Sequence, residues 1–369
     1  MTTSIEAAVF RTPGASPVIE QVIIDAPRDD EALVKIVAVG VCHTDMVLRD
    51  GMLPLPFPVV LGHEGSGVVM KAGKNVTEVS EGDHVVLSFD SCGHCPSCDV
   101  DAPAYCHSWF PLNFGGGRSD GSTALRGTDG EVIHSHIFGQ SSFATHALVH
   151  ERNLVKVDKD LPLELLGPLG CGIQTGAGTI LNVLKPGPDS SVAIIGAGAV
   201  GSSAMMAAKI AGVANIVSVD LNHDRLAFAL RLGATQVFDP SVVDMPAMAV
   251  AAGCAAGFDY IVDTTGNLDV VNNAIPALAP RGEIALVGAY PPALISADAS
   301  FLMSGGRVVR GIVEGAADPK RFIPELVGHY RAGRFPFDKL IQRFPWSDIT
   351  NAIFAGESGA VLKPVVVMP

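Results

Sequence analysis

Four cysteines fall in one short stretch, Cys92, Cys95, Cys98 and Cys106 of CGHCPSCDVDAPAYC, spaced C-x2-C-x2-C-x7-C. Four thiolates so spaced can close a tetrahedron around zinc and leave no position for a substrate, which makes the ion a stabiliser. An iron–sulfur cluster also takes four cysteines. Two disulfides are the other use of such a set, and a reducing compartment disfavours them. Three further groups lie far apart along the chain: Cys42 in GVCHTD, His63 in LGHEGSG and Cys171 in GPLGCGIQTG. Two thiolates and one imidazole leave a tetrahedral zinc with one open position, the arrangement for water or an alcohol. A lone cysteine or histidine is ordinarily core filler. Here the neighbours add chemistry: Glu64 follows His63 directly, Asp45 lies three residues after Cys42 where it could orient a histidine ligand, and Thr44 offers a hydroxyl beside the open position.

A second motif, VAIIGAGAVG, sets Gly196, Gly198 and Gly201 after an apolar strand-like run and before a helical one. That context is what a dinucleotide-binding glycine triplet needs: one glycine for the tight turn, one for backbone approach to a pyrophosphate, one for close helix–strand packing. Val200 stands within the loop, and the helix N-terminus faces the phosphates. Asp220 closes the next strand, IVSVD, where a carboxylate accepts hydrogen bonds from ribose hydroxyls and repels a 2′-phosphate. Arginine comes only at Arg225, so NAD is favoured over NADP.

The elements that must position these groups divide into two textures. Residues 1–172 alternate short β-rich runs with Gly, Pro and Asp turns, as in an irregular β-rich domain. From about residue 173 to 314, buried strands alternate with helical segments, which predicts a doubly wound parallel sheet. Residues 315–369 add a helix-like stretch, PKRFIPELVGHYRAGRF, and a closing strand, VLKPVVVMP, assigned to the first domain. The stretch from Cys106 to about Gln140 reads as the longest loop.

Composition narrows the partners. Of 369 residues 38 are acidic and 25 basic, a net charge of -13 with no basic cluster, which excludes a nucleic-acid or anionic-membrane footprint. The start MTTSIEAAVFR has no export pattern and no long apolar run follows, so a cytoplasmic protein is expected.

Together, GVCHTD, GHEGSGVV, CGHCPSC with Cys106, GCGIQTGAG and GAGAVG followed by Asp220 resemble the zinc-dependent medium-chain alcohol dehydrogenases, in order along nearly the whole chain. HSWFPLNFGGGRSDGS and IFGQSSFATHALV are most similar to the bacterial aryl-alcohol (benzyl alcohol) dehydrogenases. The resemblance implies a GroES-like β-rich catalytic domain plus a Rossmann NAD-binding domain, two zinc ions per subunit, and oxidation of primary aromatic or allylic alcohols to aldehydes by hydride transfer to NAD+. It makes Cys42, His63 and Cys171 the catalytic zinc ligands, Glu64 an alternative ligand behind the metal, Asp45 the support of His63, and Thr44 the acceptor of the alcohol proton. It sets His43 and Lys363 near the cofactor phosphates, and Thr175, Gly266, Val287 and Ala289 around the nicotinamide and its ribose.

One position departs from the family: many members place a histidine five residues after the first ligand cysteine to end a proton relay, and Val47 stands there. The relay must then end differently, from Thr44 through the ribose hydroxyls to water, with His43 as an assisting base. Phe89, Trp109, Phe110 and Phe114 supply aromatic surface for an apolar channel. Two rival readings are a glutathione-dependent formaldehyde dehydrogenase, disfavoured by Leu53 where such relatives carry an acid, and a non-catalytic zinc- and NAD-binding protein. The strands near EIALVGAY and RVVRGIVEG resemble the family's subunit-pairing edge, so a homodimer or homotetramer is expected.

Overall fold

A computed structural model describes residues 2–290 and 292–369. The chain forms two compact units: residues up to Gly172 with Asp318–Leu326 and Asp338–Pro369, and Ile173–Ala317 with Val327–Phe337. Segment 327–337 thus groups with the second unit, whereas the sequence reading gave it to the first; the helix Pro319–Arg331 carries the chain from one unit into the other.

In the first unit, the strand Glu31–Gly40 organises the larger sheet. Its alternate residues Ala32, Val34, Ile36 and Ala38 are fully buried, as a strand with one face packed into the core requires. It pairs antiparallel with Glu64–Ala72 along one edge, and with His146–His150 and then Lys363–Val367 along the other. That register sets Gly40 opposite Glu64 and brings Lys363 alongside the end of the strand. A Cβ on Gly40 would meet the Glu64 carboxylate at 2.0 Å, so only glycine leaves room for the acid. A smaller antiparallel sheet holds Thr3–Phe10 and Val18–Ile24. The supposed loop after Cys106 contributes a helix, Trp109–Phe114, and a short hairpin, Leu125–Gly127 with Val132–Ile133, that extends this smaller sheet. Strands of two and three residues are too short to show an alternation in sequence.

In the second unit, six parallel strands run in the spatial order Gln236–Phe238, Asn215–Val219, Ser191–Ile195, Phe258–Asp263, Leu278–Leu286, Val308–Gly311. All five residues of Ser191–Ile195 are buried, since helices cover both faces. The strand order reverses beside this central strand, and the crevice at its carboxyl end is where open α/β sheets bind ligands. Gly196 turns there with φ 94°, in the left-handed region. A Cβ on Gly201 would lie 1.8 Å from the Gly196 carbonyl oxygen, so the helix Ala199–Ile210 reaches the strand only because residue 201 has no side chain.

Gly201→Ala is accordingly expected to cost roughly 2 kcal/mol of unfolding free energy by overpacking and to weaken NADH binding. Thermal denaturation and NADH fluorescence titration read the two effects, and an unchanged melting temperature would remove the close-packing role.

Candidate active site

Two clusters of metal-ligating side chains stand out among the described residues, and both lie in the first unit. In one, the Cys92, Cys95, Cys98 and Cys106 sulfurs converge, with separations of 3.6 Å for Cys95–Cys98 and 4.0 Å for Cys92–Cys98 and Cys95–Cys106. A Zn–S bond of ~2.3 Å places tetrahedral ligand sulfurs about 3.8 Å apart. The cysteines are free, so the disulfide alternative falls. An iron–sulfur cluster would hold them on separate irons, farther apart than this. Backbone N–H groups point at the sulfurs: Cys92 and Ser108 donate to Cys106 Sγ at 3.2 and 3.4 Å, and His107 donates to Cys95 Sγ at 3.4 Å. The His107 hydrogen bond, against the effect of burial, pulls the Cys95 thiol down to about 6, towards the thiolate a metal needs.

The second cluster joins Cys42, His63, Glu64 and Cys171, whose ligand atoms lie within 4.8 Å of one another. Three chain segments meet to form it. Cys42 caps the N-terminus of the helix His43–Arg49 just beyond Gly40; His63 and Glu64 enter the neighbouring strand; Cys171 follows the tight turn Gly167–Gly170. Asp45 is 1% exposed and accepts three hydrogen bonds, from Cys42 N at 3.1 Å, Gly62 N at 3.0 Å and His63 Nδ1 at 3.0 Å. The carboxylate makes Nδ1 the protonated nitrogen and leaves Nε2 as a lone-pair donor. That Nε2 is buried with no hydrogen-bond partner, an orphan that a metal would satisfy. A hydrogen bond from Cys171, opposed by burial and aided by the charges on His63 and Lys363, holds the Cys42 thiol well below its usual range. The donor set therefore fits zinc.

Thr44 is half-buried, its Oγ1 3.9 Å from Cys42 Sγ, while His43 is exposed and Val47 half-buried. Lys363 departs from the phosphate-binding expectation. It is 3% exposed, and its Nζ lies 2.8 and 2.9 Å from the Glu64 oxygens and 3.2 Å from the Val41 carbonyl. A buried ammonium needs such partners, and these use all three of its donors. Glu64 also accepts from Gly172 N at 3.1 Å, beside Cys171.

Sequence reasoning passed over Phe138 and Gln140. The Phe138 ring stacks on His63 at 4.5 Å between centroids, and Trp109 and Phe114 meet it edge-on at 6.0 and 5.2 Å. Phe89 reaches this group through Trp109; Phe110, 45% exposed, touches it only through Phe114. The aromatic residues thus form a wall that begins at the imidazole. Nothing in the sequence distinguished Phe138 from core, while a glutamine inside the apolar run IFGQSSFA was a usable signal for Gln140.

In the second unit, Asp220 Oδ2 accepts from Ala197 N at 2.7 Å and Oδ1 from Asn222 N at 2.8 Å, which fixes the carboxylate at the glycine turn. It borders a cavity of about 500 Å³ with Gly196, Leu221, Val243, Met248 and Thr265. A Cβ on Gly198 would touch nothing within 4 Å, so backbone there is open to a ligand. Val200 is half-buried in the first turn of its helix, and Arg225 half-buried on the helix His223–Leu232. Gly266 and Ala289 abut at the ends of adjacent strands, and Val287 N donates to Asp263 O at 3.0 Å. Thr175 is buried, its Oγ1 3.5 Å from Glu314 Oε2. This crevice fits a dinucleotide.

Family models for the alcohol dehydrogenase GroES-like domain and for the zinc-binding dehydrogenase match residues 28–159 and 199–328. Geraniol dehydrogenase of Castellaniella defragrans is 48% identical over 366 residues, 99% of this chain and 98% of that one. This chain belongs to the zinc-dependent medium-chain alcohol dehydrogenases. Benzyl alcohol dehydrogenase of Acinetobacter calcoaceticus is 45% identical with a TM-score of 0.95, each chain covered fully. An alcohol dehydrogenase zinc-binding domain protein of Burkholderia ambifaria is 49% identical with a TM-score of 0.97, again over both whole chains. The fold of this alcohol dehydrogenase is therefore a GroES-like domain with a Rossmann domain, and zinc and NAD(H) are its cofactors. Among the described residues no helix is long and apolar enough to cross a membrane.

Asp45→Asn keeps the size of the side chain but removes the charge that sets the imidazole. Zinc affinity is expected to fall roughly 10- to 100-fold, measured by competition with a chromogenic chelator; unaltered affinity would exclude the orienting role.

Proposed function

We propose that this dehydrogenase oxidises primary aromatic and allylic alcohols to aldehydes with NAD+. The observation that carries this reading is the aromatic wall, Phe138, Trp109, Phe114 and Phe89, which starts on the face of His63 itself. Flat unsaturated carbon next to the carbinol would stack on such a wall, where a short saturated alcohol leaves it uncovered. Two of the three similar proteins point the same way, because benzyl alcohol is aromatic and geraniol is an allylic primary alcohol.

In this reading Cys42, His63 and Cys171 hold the catalytic zinc, and Cys92, Cys95, Cys98 and Cys106 hold a structural one. Zinc, when bound, supplies a Lewis acid that lowers the pKa of the alcohol. Asp45 orients His63, and Lys363 with Gly172 N neutralises Glu64 and keeps its carboxylate from drifting. Thr44 accepts the alcohol proton through Oγ1. Val47 offers no acceptor, so His43, exposed and adjacent in sequence, is the chain's own base for passing that proton to water. On the cofactor side Gly196, Gly198, Val200 and Gly201 meet the pyrophosphate, and Asp220 takes the ribose hydroxyls and favours NAD over NADP. Thr175, Gly266, Val287 and Ala289 border the nicotinamide end.

The edge strand Val308–Gly311 and the exposed Leu294, Met303 and Val313 support a homodimer or homotetramer through this edge. The seven cysteines form no disulfide, which suits the reducing cytoplasm.

NADH formation with benzyl alcohol, geraniol, ethanol, and formaldehyde plus glutathione tests the substrate class. Expected is a kcat/KM for benzyl alcohol or geraniol at least about tenfold above that for ethanol, abolished by chelation and restored by zinc. Turnover confined to formaldehyde with glutathione would overturn the aromatic and allylic assignment.

A further inference from the structure

We infer that Gln140 is a positioning residue for the zinc ligand His63, acting on its main chain as Asp45 acts on its ring. The proposal rests on the reading that Cys42, His63 and Cys171 hold a zinc ion.

The observation is a clamp built from residues 136–143. His136, Phe138 and Ser141 take φ of 64°, 52° and 56°, left-handed values that non-glycine side chains resist. Such strain persists only where surroundings over-determine it, and it gathers at functional sites. Here Ser142 N donates to Gly62 O at 2.8 Å, Phe143 N to Leu61 O at 2.9 Å, and Ser141 Oγ to Val60 O at 2.6 Å. The segment is thereby tied alongside the residues that lead into His63.

Gln140 is 2% exposed and uses its whole amide on this region. Its Oε1 accepts from Gly65 N at 3.0 Å and from Ser142 Oγ at 2.6 Å; its Nε2 donates to His63 O at 2.9 Å and to Ser88 O at 3.4 Å. Both lone-pair sites and both N–H groups of the amide are engaged, which leaves the side chain a single orientation. It spans the backbone from His63 to Gly65, the stretch that carries Glu64 between them. A Cβ on Gly65 would lie 2.3 Å from Ser142 Oγ and 3.0 Å from Gln140 Oε1, so glycine there is what lets the amide reach in. His63 is consequently held at three points: Asp45 on Nδ1, Phe138 on the ring face and Gln140 on the carbonyl. The first two fix the ring's rotation and tilt, and the third fixes where the ring is mounted.

The test uses purified zinc-loaded enzyme with Gln140→Met, which keeps length and loses every hydrogen bond, and Gln140→Glu, which keeps an acceptor for Gly65. Zinc release to a chromogenic chelator is followed together with loss of NADH formation, so that the ion needed for turnover is recognised. Expected for Gln140→Met is release of that ion at least about tenfold faster, with the other ion unchanged and a smaller effect in Gln140→Glu. Cobalt(II) substitution gives a second readout, a shift of the visible bands in Gln140→Met. Unchanged release of the turnover-linked ion in both variants, or equal acceleration of both ions as general loosening would give, overturns the role. If Gln140→Met fails to fold, Gln140→Glu decides by the same comparison. Wild-type enzyme whose turnover is unaffected by complete zinc removal overturns the catalytic-zinc reading underneath, and the proposal with it; a turnover-linked ion with unaltered release in both variants sinks the Gln140 role alone.

Discussion

A carboxylate with almost no access to water survives only where N–H groups meet it, and in this enzyme Asp45 is met by three. Those three contacts come from separate parts of the local structure: the start of a helix, the turn before a strand, and a histidine ring. Satisfying one buried charge therefore fixes the relative placement of Cys42 and His63. Glu64 and Lys363 follow the same rule one layer behind, each buried and each neutralised by the other. The polar groups beneath the metal pocket are thus held by contacts within the chain itself. Breaking such a pair by removing one member leaves an uncompensated buried charge, which costs far more than the pair's net contribution to stability.

The Rossmann unit obeys a different constraint, steric rather than electrostatic. Its binding crevice exists because three positions carry no side chain, each for its own reason: a left-handed turn at Gly196, open space at Gly198, and contact with a carbonyl oxygen at Gly201. Asp220 then needs only backbone donors from Ala197 and Asn222 to stand at the rim.

What could be seen in the amino-acid order follows from this contrast. Cysteine spacing and the glycine triplet are legible because residue type and separation are themselves the chemistry, and strands buried on both faces announce a parallel sheet. The family resemblance sets Lys363 near the cofactor phosphates, and nothing in the amino-acid order gives its partner 299 residues away; the register of Lys363–Val367 against Glu31–Gly40 delivers it to Glu64. Phe138 escaped notice because a non-glycine residue in a left-handed conformation leaves no local signature, and Gln140, which a polar side chain in an apolar run did signal, acts through the distant backbone of His63 and Gly65. The boundary near residue 327 was invisible because one continuous helix crosses it.

The pairing of Gly40 with Glu64 constrains substitution at both positions. A methyl group at position 40 would overlap the carboxylate, so even an alanine there is incompatible with a glutamate at 64. A larger residue at 40 calls for a shorter one at 64, and a shorter residue at 64 leaves the ammonium of Lys363 without its carboxylate. Three positions distant in the chain, 40, 64 and 363, are thus coupled by one steric contact and one buried ion pair.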